Sequence, residues 1–314
     1  LLYFTAADYY GDGKRQKKIS QFVEEAGTKF EIRNLKFETR NLAAQMSLFQ
    51  NEAGASENIV MIKDRVITPI TYLSVSQIGT FKNCPRQYKY KYILRLPAPQ
   101  NAAAALGSSI HLTLKDFYEV VRQEQRYGSR EELLSFLEKN WQREGYKSKQ
   151  EEGANKEKAA RFLENYYERE VKEKPITKPL ALEQMFSFKI DGKLKVGGKI
   201  DRIDEIQKNL EIIDYKTGKI PDEKKLAEDL QLTVYAMAVN DPASYNKKIG
   251  EIILSFYFFE ECRKITLTRT QEDLEKAKKI IIDYAKEISE SDFQPCPSEL
   301  CKFCEYRLLC DAAQ

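Results

Sequence analysis

The chain has 314 residues, 42% hydrophobic and 32% charged, with a formal net charge of +3. That length can bury a substantial core and hold one large domain or two, and near-neutral charge makes any basic surface local. No apolar run approaches the ~20 residues that span a bilayer, and no secretory pattern opens the chain, so six cysteines point to metal or redox chemistry rather than disulfides.

The chain starts Leu1-Leu2-Tyr3 and reads as a piece of something longer. Residues 1–35 predict an apolar strand at 1–6, a basic turn at 14–18 and a short helix at 20–26. This opening resembles the last strand and helix of the second RecA-like domain of UvrD-type superfamily 1 helicases. No Gly-x-x-x-x-Gly-Lys-Ser/Thr loop occurs, so a motor would lie upstream, in the same or a sister chain. Residues 36–70 are polar without a sustained period, as linkers are. Within them Gln45-Met46-Ser47-Leu48-Phe49 is similar to the pentapeptide that docks bacterial repair proteins on the sliding clamp. Gln45, Leu48 and Phe49 would make that contact; an ordinary linker helix fits the same five residues.

From Thr71 the pattern sharpens. Ser76 is the expected N-cap of a helix carrying Ile78, Phe81, Tyr88 and Tyr92. Lys82, Arg86, Lys89, Lys91 and Arg95 interleave with Tyr88, Tyr90 and Tyr92. Such a run binds phosphates and stacks bases in single-strand sites, or forms a solvated helix face over buried aromatics. Gly107-Ser108-Ser109 opens a second predicted helix bearing His111, with Ile110, Leu114, Phe117, Tyr118 and Val121 as its buried stripe. Helices at 130–144 and 155–171 follow, closed by Pro175 and Pro179. Strands are expected at 182–190, 194–203, 210–216, 251–259 and 264–268. A helix at 222–239, capped by Asp222, carries Gln231 and Tyr235 on one face; another covers 271–289. A mixed sheet flanked by helices is the natural architecture.

Residues 197–218 carry most of the chemistry. Two β-branched runs flank the polar Gln207-Lys208-Asn209, which reads as a hairpin. Alternation along a strand puts Asp214 and Lys216 on one face and Tyr215 on the other. Asp201 joins that face if 201 lies opposite 214, 199 opposite 216 and 205 opposite 210. Two carboxylates beside a lysine suit Mg²⁺ or Mn²⁺, although an exposed hairpin carries such charges too. In the tail, Cys301-x-x-Cys304-x5-Cys310 supplies three thiolates, and a tetrahedral site needs a fourth. The spacing fits zinc as well as a 4Fe–4S cluster.

The order Cys84, His111, Asp201, Asp214-Tyr215-Lys216, Gln231-x-x-x-Tyr235, Cys301-x-x-Cys304 and Cys310 resembles the RecB-type branch of the PD-(D/E)xK nucleases. The match is to its iron–sulfur members, AddB-like and CRISPR-adaptation-like, and covers residues 71–310. It implies an α/β (α+β, mixed-sheet) restriction-endonuclease-like core at 71–314, with a helical insertion and a C-terminal cysteine cluster. Asp201, Asp214, His111 and the Tyr215 main-chain carbonyl would hold Mg²⁺ or Mn²⁺, and Lys216 would orient the attacking water. Gln231 and Tyr235 would lie near the site and touch DNA, with Glu183 supporting it from outside. Cys84, Cys301, Cys304 and Cys310 would ligate a 4Fe–4S cluster, or zinc as the alternative. Cys296 would be a bystander or competing ligand, and Cys262 buried filler. Arg86, Tyr88 and Lys89 join Gln231 as DNA-binding candidates.

The implied activity is a Mg²⁺- or Mn²⁺-dependent deoxyribonuclease, an exonuclease on single-stranded DNA. It would act with a superfamily 1 helicase in repair and recombination, in the nucleoid-associated cytoplasm and not at a membrane. A nuclease-dead DNA-binding module is one rival, which the intact Asp201, Asp214 and Lys216 oppose; a zinc-stapled structural domain of a helicase is another.

Overall fold

A capping box sets the first long helix. Gln77 N–H donates to Ser74 Oγ and Ser74 N–H to Gln77 Oε1, so α1 spans Val75–Asn83. The expected cap at Ser76 is therefore two residues late. The computed structural model describes residues 69–313, together with the strand backbones β1 (Val60–Ile62) and β2 (Arg65–Ile67), an antiparallel pair. The expectations for 1–35, for most of 36–70, and for Gln45, Leu48 and Phe49 lie outside the described residues.

Pro85, its missing N–H harmless at a helix start, opens α2 (Pro85–Tyr88), which continues as a π-helical turn over Lys89–Ile93. The next helix, α3 (Ala102–Glu124), begins more than a turn before the expected Gly107. Its cap is Asn101, whose side chain accepts from the Ala104 N–H at 2.9 Å. His111 consequently sits mid-helix. Helix α4 covers Arg130–Asn140, and α5 (Lys149–Tyr166) starts earlier than expected because Ser148 caps it.

Among the described residues a six-stranded mixed sheet forms the middle layer: β3 (Tyr72–Leu73), β4 (Pro179–Ile190), β5 (Leu194–Ile206), β6 (Asn209–Lys216), β7 (Ile252–Phe258) and β8 (Arg263–Leu267). The expected helix at 222–239 is two pieces, α6 (Glu223–Ala227) and α7 (Leu230–Asn240). Asp229 caps the second through the Leu232 N–H at 2.8 Å. Arg269 fixes this break, donating to Thr233 Oγ1 at 2.7 Å and the Asp229 carbonyl at 3.2 Å. The last long helix, α8, is Gln271–Glu290. Buried residues of α1, α7 and α8 pack on one sheet face, those of α3, α4 and α5 on the other. Among the described residues no helix is long and apolar enough to cross a membrane.

The layout of β5 positions the site. One of its edges pairs along most of its length with antiparallel β4. The other edge is divided: β3 pairs in parallel at Lys195 and Val196, and β6 pairs antiparallel from Arg202 onward. Between them that edge is left to side chains. Gly197 and Gly198 sit there because a Cβ at either would come within 2.9 Å of the Tyr72 or Phe186 ring. Phe186 is itself held edge-on against Tyr235, centroids 5.7 Å apart.

Candidate active site

The hairpin has the expected register at its turn end, where Glu205 lies opposite Leu210. The ladder ends at Arg202 and Ile213, so the expected pairing of Lys199 with Lys216 is not made; Lys199 pairs with Met185 of β4. The strands part because site side chains take over their main-chain groups. Tyr215 N–H donates to Asp201 Oδ2 at 2.9 Å, and the Lys199 carbonyl accepts from the Tyr235 hydroxyl at 2.7 Å. These groups would be costly to bury unmatched, so the opening is satisfied rather than strained.

On β4, Glu183 would face Asp201, yet the ladder skips from Leu182 to Gln184 there. Glu183 adopts φ 50°, the left-handed region uncommon for a residue with a Cβ. This local distortion accompanies a functional cluster, as such outliers often do. His111 Nδ1 lies 3.2 Å from Asp201 Oδ1 and 3.6 Å from Glu183 Oε1. One ligand atom from each of these three residues lies within 4.8 Å of the others, spacing suited to a single cation. Glu183, expected only in a supporting role, therefore stands in this potential ligand group. Lys199, which the sequence did not single out, pairs with the Glu183 carboxylate.

Asp214 lies beside this group. Its carboxylate is 2% exposed; Oδ1 is 3.2 Å from the Tyr235 hydroxyl and Oδ2 2.7 Å from Lys216 Nζ. The lysine contact is an ion pair without hydrogen-bond alignment, leaving Oδ2 buried with no hydrogen-bond donor. A buried carboxylate oxygen left this way suits a metal ligand. Lys216 Nζ instead donates to Gln231 Oε1 at 2.7 Å, and Gln231 Nε2 donates to the Tyr235 hydroxyl at 2.7 Å. The i, i+4 spacing on α7 thus becomes a relay from the lysine to the opened edge of β5. A cleft of about 180 Å³ borders Ser74, Lys199, Gln231 and Tyr235.

Electrostatics follow from this crowding. Burial pushes Asp214 up to about 6; Asp201 adds to the rise and Lys216 opposes it. Burial would lower His111, but Asp201 and Glu183 outweigh it and hold the imidazole up to about 10. His111 Nε2 is 3.0 Å from the Tyr215 carbonyl, the main-chain oxygen expected to be a ligand. Without a cation, the proton on His111 serves as the positive charge among these oxygens. Carboxylates, imidazole and a main-chain carbonyl together fit a hard or borderline divalent ion.

The cysteines gather elsewhere. Cys84, Cys296, Cys301, Cys304 and Cys310 line one cavity of about 200 Å³. Cys84 sits at the joint between α1 and α2, where Cys296 N–H points to its Sγ at 3.5 Å. Burial chiefly, and then the neighbouring Glu305, Cys84 and Cys301, push the Cys304 thiol up. Cys262 is not buried filler: it is half-buried in the β7–β8 turn, with φ 48° and its thiol donating to the Phe259 carbonyl.

The basic aromatic run also needs correction. Tyr88 is 3% exposed and stacks on Phe293 at 6.1 Å, so its ring is core and unavailable to a base. Arg86 Nε donates to the Phe293 carbonyl at 3.0 Å, and Tyr90 donates to the Leu309 carbonyl at 3.3 Å. These residues tie the C-terminal tail to α2, while Lys89 beside them is half-buried.

A family model described as the PD-(D/E)XK nuclease superfamily matches residues 72–311. A protein of the ATP-dependent helicase/deoxyribonuclease of Carboxydothermus hydrogenoformans is 30% identical over an alignment covering 60% of this chain and 20% of that protein. The chain thus spans about a fifth of that relative's length. Two solved structures overlap weakly. SSO0001 has a TM-score of 0.32 at 14% identity, covering 73% of this chain and 95% of that one. VC1899 from Vibrio cholerae has a TM-score of 0.22 at 12% identity, covering 68% and 54%. Overlaps at this level fix neither fold detail nor function.

Proposed function

Because the chain belongs to the PD-(D/E)XK nuclease superfamily, we propose that it is a Mg²⁺- or Mn²⁺-dependent deoxyribonuclease that cuts single-stranded DNA delivered by a helicase motor. The observation that carries the proposal is the convergence of His111, Glu183 and Asp201 beside Asp214, whose buried Oδ2 lacks a hydrogen-bond donor. Asp201, Asp214, His111 and the Tyr215 carbonyl are the proposed ligands, with Glu183 added to the group. When bound, a divalent cation supplies charge stabilisation to the phosphate and lowers the pKa of water.

The chain's residues do the rest. Lys216 presents its ammonium at the rim of the site, where it steadies charge developing on the scissile phosphate and orients the attacking water. Gln231 and Tyr235 hold that ammonium in place through their two consecutive 2.7 Å hydrogen bonds. His111 gives up its proton when a cation takes its place, so metal affinity rises with pH. The cleft beside Gln231 offers a route for a strand to the site.

The thiols of Cys84, Cys301, Cys304 and Cys310 are the proposed ligands of a structural 4Fe–4S cluster. The cavity they line, about 200 Å³, is far larger than one ion fills, which favours a cluster over zinc. A brown chromophore with matching iron content tests this, and stoichiometric zinc without iron would reject it. The motor as partner rests on the helicase/deoxyribonuclease relative.

Incubation with end-labelled single- and double-stranded DNA tests the activity. We expect single-strand cutting with Mn²⁺ or Mg²⁺ and none with EDTA. Binding without cutting in any metal would favour the inactive-module reading instead.

A further inference from the structure

Granted that nuclease reading, we infer that Arg202 is a positioning residue, which sets the Tyr215 main-chain carbonyl and the helix of His111 at the proposed cation site from behind the sheet. Arg202 follows Asp201 directly, so strand alternation sends its side chain to the opposite face, toward α3 and α5. It is 3% exposed, a burial that a guanidinium tolerates only when its charge and donors are matched.

Here each group of the fork has a partner. Nε donates to Asp204 Oδ1 at 2.7 Å and Nη2 to Asp204 Oδ2, a two-point pairing of guanidinium and carboxylate. Nη1 donates to the hydroxyls of Tyr166 and Tyr215, each at 3.2 Å. The guanidinium carbon lies 3.5 Å from the centroid of the Tyr118 ring. Tyr118 and Tyr166 close the cage with a hydroxyl contact of 2.6 Å.

The cage ends on the site from two directions. Tyr118 lies two turns beyond His111 on the same face of α3, so the stacking contact fixes the helix that supplies the imidazole. Tyr215 belongs to both networks: its hydroxyl meets Arg202, its N–H meets Asp201 and its carbonyl meets His111. A tilt of the Tyr215 side chain would rotate the same peptide units that carry those contacts. Asp204 alone could neutralise the charge; the planar fork and the stack are what set direction. Lysine cannot reproduce them, because it offers a point charge on a flexible stem.

The test is Mn²⁺ binding by electron paramagnetic resonance on the whole chain, alongside DNA cutting and thermal melting. For Arg202→Lys we expect Mn²⁺ affinity to fall about 10- to 100-fold, as when residues that orient ligands are lost, with a cooperative melt retained. Tyr215→Phe should move affinity in the same direction by less, and adding it to Arg202→Lys should cost little more, since both break one contact. If Arg202→Lys does not fold, Tyr215→Phe and Tyr166→Phe probe the same contacts with smaller changes. Lowered melting with wild-type Mn²⁺ affinity in the folding variants would overturn the positioning role and leave the nuclease reading intact. Wild-type protein that binds no Mn²⁺ would overturn both.

Discussion

Asp214→Asn is expected to abolish DNA cutting while leaving the fold and the cysteine cluster intact. The change keeps the volume and one oxygen but removes the anionic ligand, a loss of charge stabilisation worth several kcal/mol. With each ~1.4 kcal/mol a factor of ten, the rate should fall on the order of a thousandfold or more. Stability should move the other way. Burial raises the folded pKa of Asp214 to about 6, above the ordinary 3.8. A group raised in this way contributes stability that is present below its unfolded pKa and lost as pH rises through the folded one. Above about pH 6 the metal-free wild type therefore carries an unfavourable buried charge that asparagine lacks. Melting curves of the metal-free proteins at pH 8 should place the variant no lower than wild type. Cutting at near wild-type rate by a variant free of wild-type contamination would remove Asp214 from the proposed ligand set.

Cys84→Ala is expected to lower the melting temperature sharply and bleach the visible absorbance. The residue lies at the α1–α2 joint, and its proposed partners Cys301, Cys304 and Cys310 close the chain. Their ligation would enclose nearly the whole core in one loop of more than 200 residues. In the chain-entropy model a link of that length is worth on the order of 5 kcal/mol, although strain and residual unfolded structure can reduce it. At ~2–4 °C per kcal/mol for a domain this large, the melting point should drop by ~10–20 °C. Cys262→Ala should leave the absorbance unchanged, since its thiol meets the Phe259 carbonyl in a distant turn. Cys296→Ala should behave likewise, because it is the main-chain N–H of that residue that reaches Cys84. Full absorbance in Cys84→Ala with loss in Cys296→Ala would exchange their roles.

Much of the site was legible because its spacing is local. Asp214, Lys216, Gln231 and Tyr235 follow from the periods of one strand and one helix, and their relay is present in the fold. The pairing of Glu205 with Leu210 follows from alternation about a short turn. What escaped depends on contacts distant in sequence. The left-handed backbone at Glu183 accompanies a meeting of β4, β5 and α3 that no local pattern encodes. The break between α6 and α7 is held by Arg269, forty residues beyond the Asp229 carbonyl it binds. Tyr88 shares the helical period of a DNA-facing ring, and only Phe293 packed on it reveals the burial. Arg202 reads as one more charge on an exposed hairpin, yet it is matched on every side by residues from four elements.

The central claim is that Asp201, Asp214, His111 and the Tyr215 carbonyl, with Glu183 beside them, surround a divalent cation. Anomalous diffraction from crystals of the whole chain grown with Mn²⁺ tests it most directly. The account predicts a strong peak within coordination distance of Asp214 Oδ2 and the Asp201 carboxylate, one that disappears in Asp214→Asn. A protein that cuts DNA only with Mn²⁺, yet shows its peak away from these residues, would contradict it.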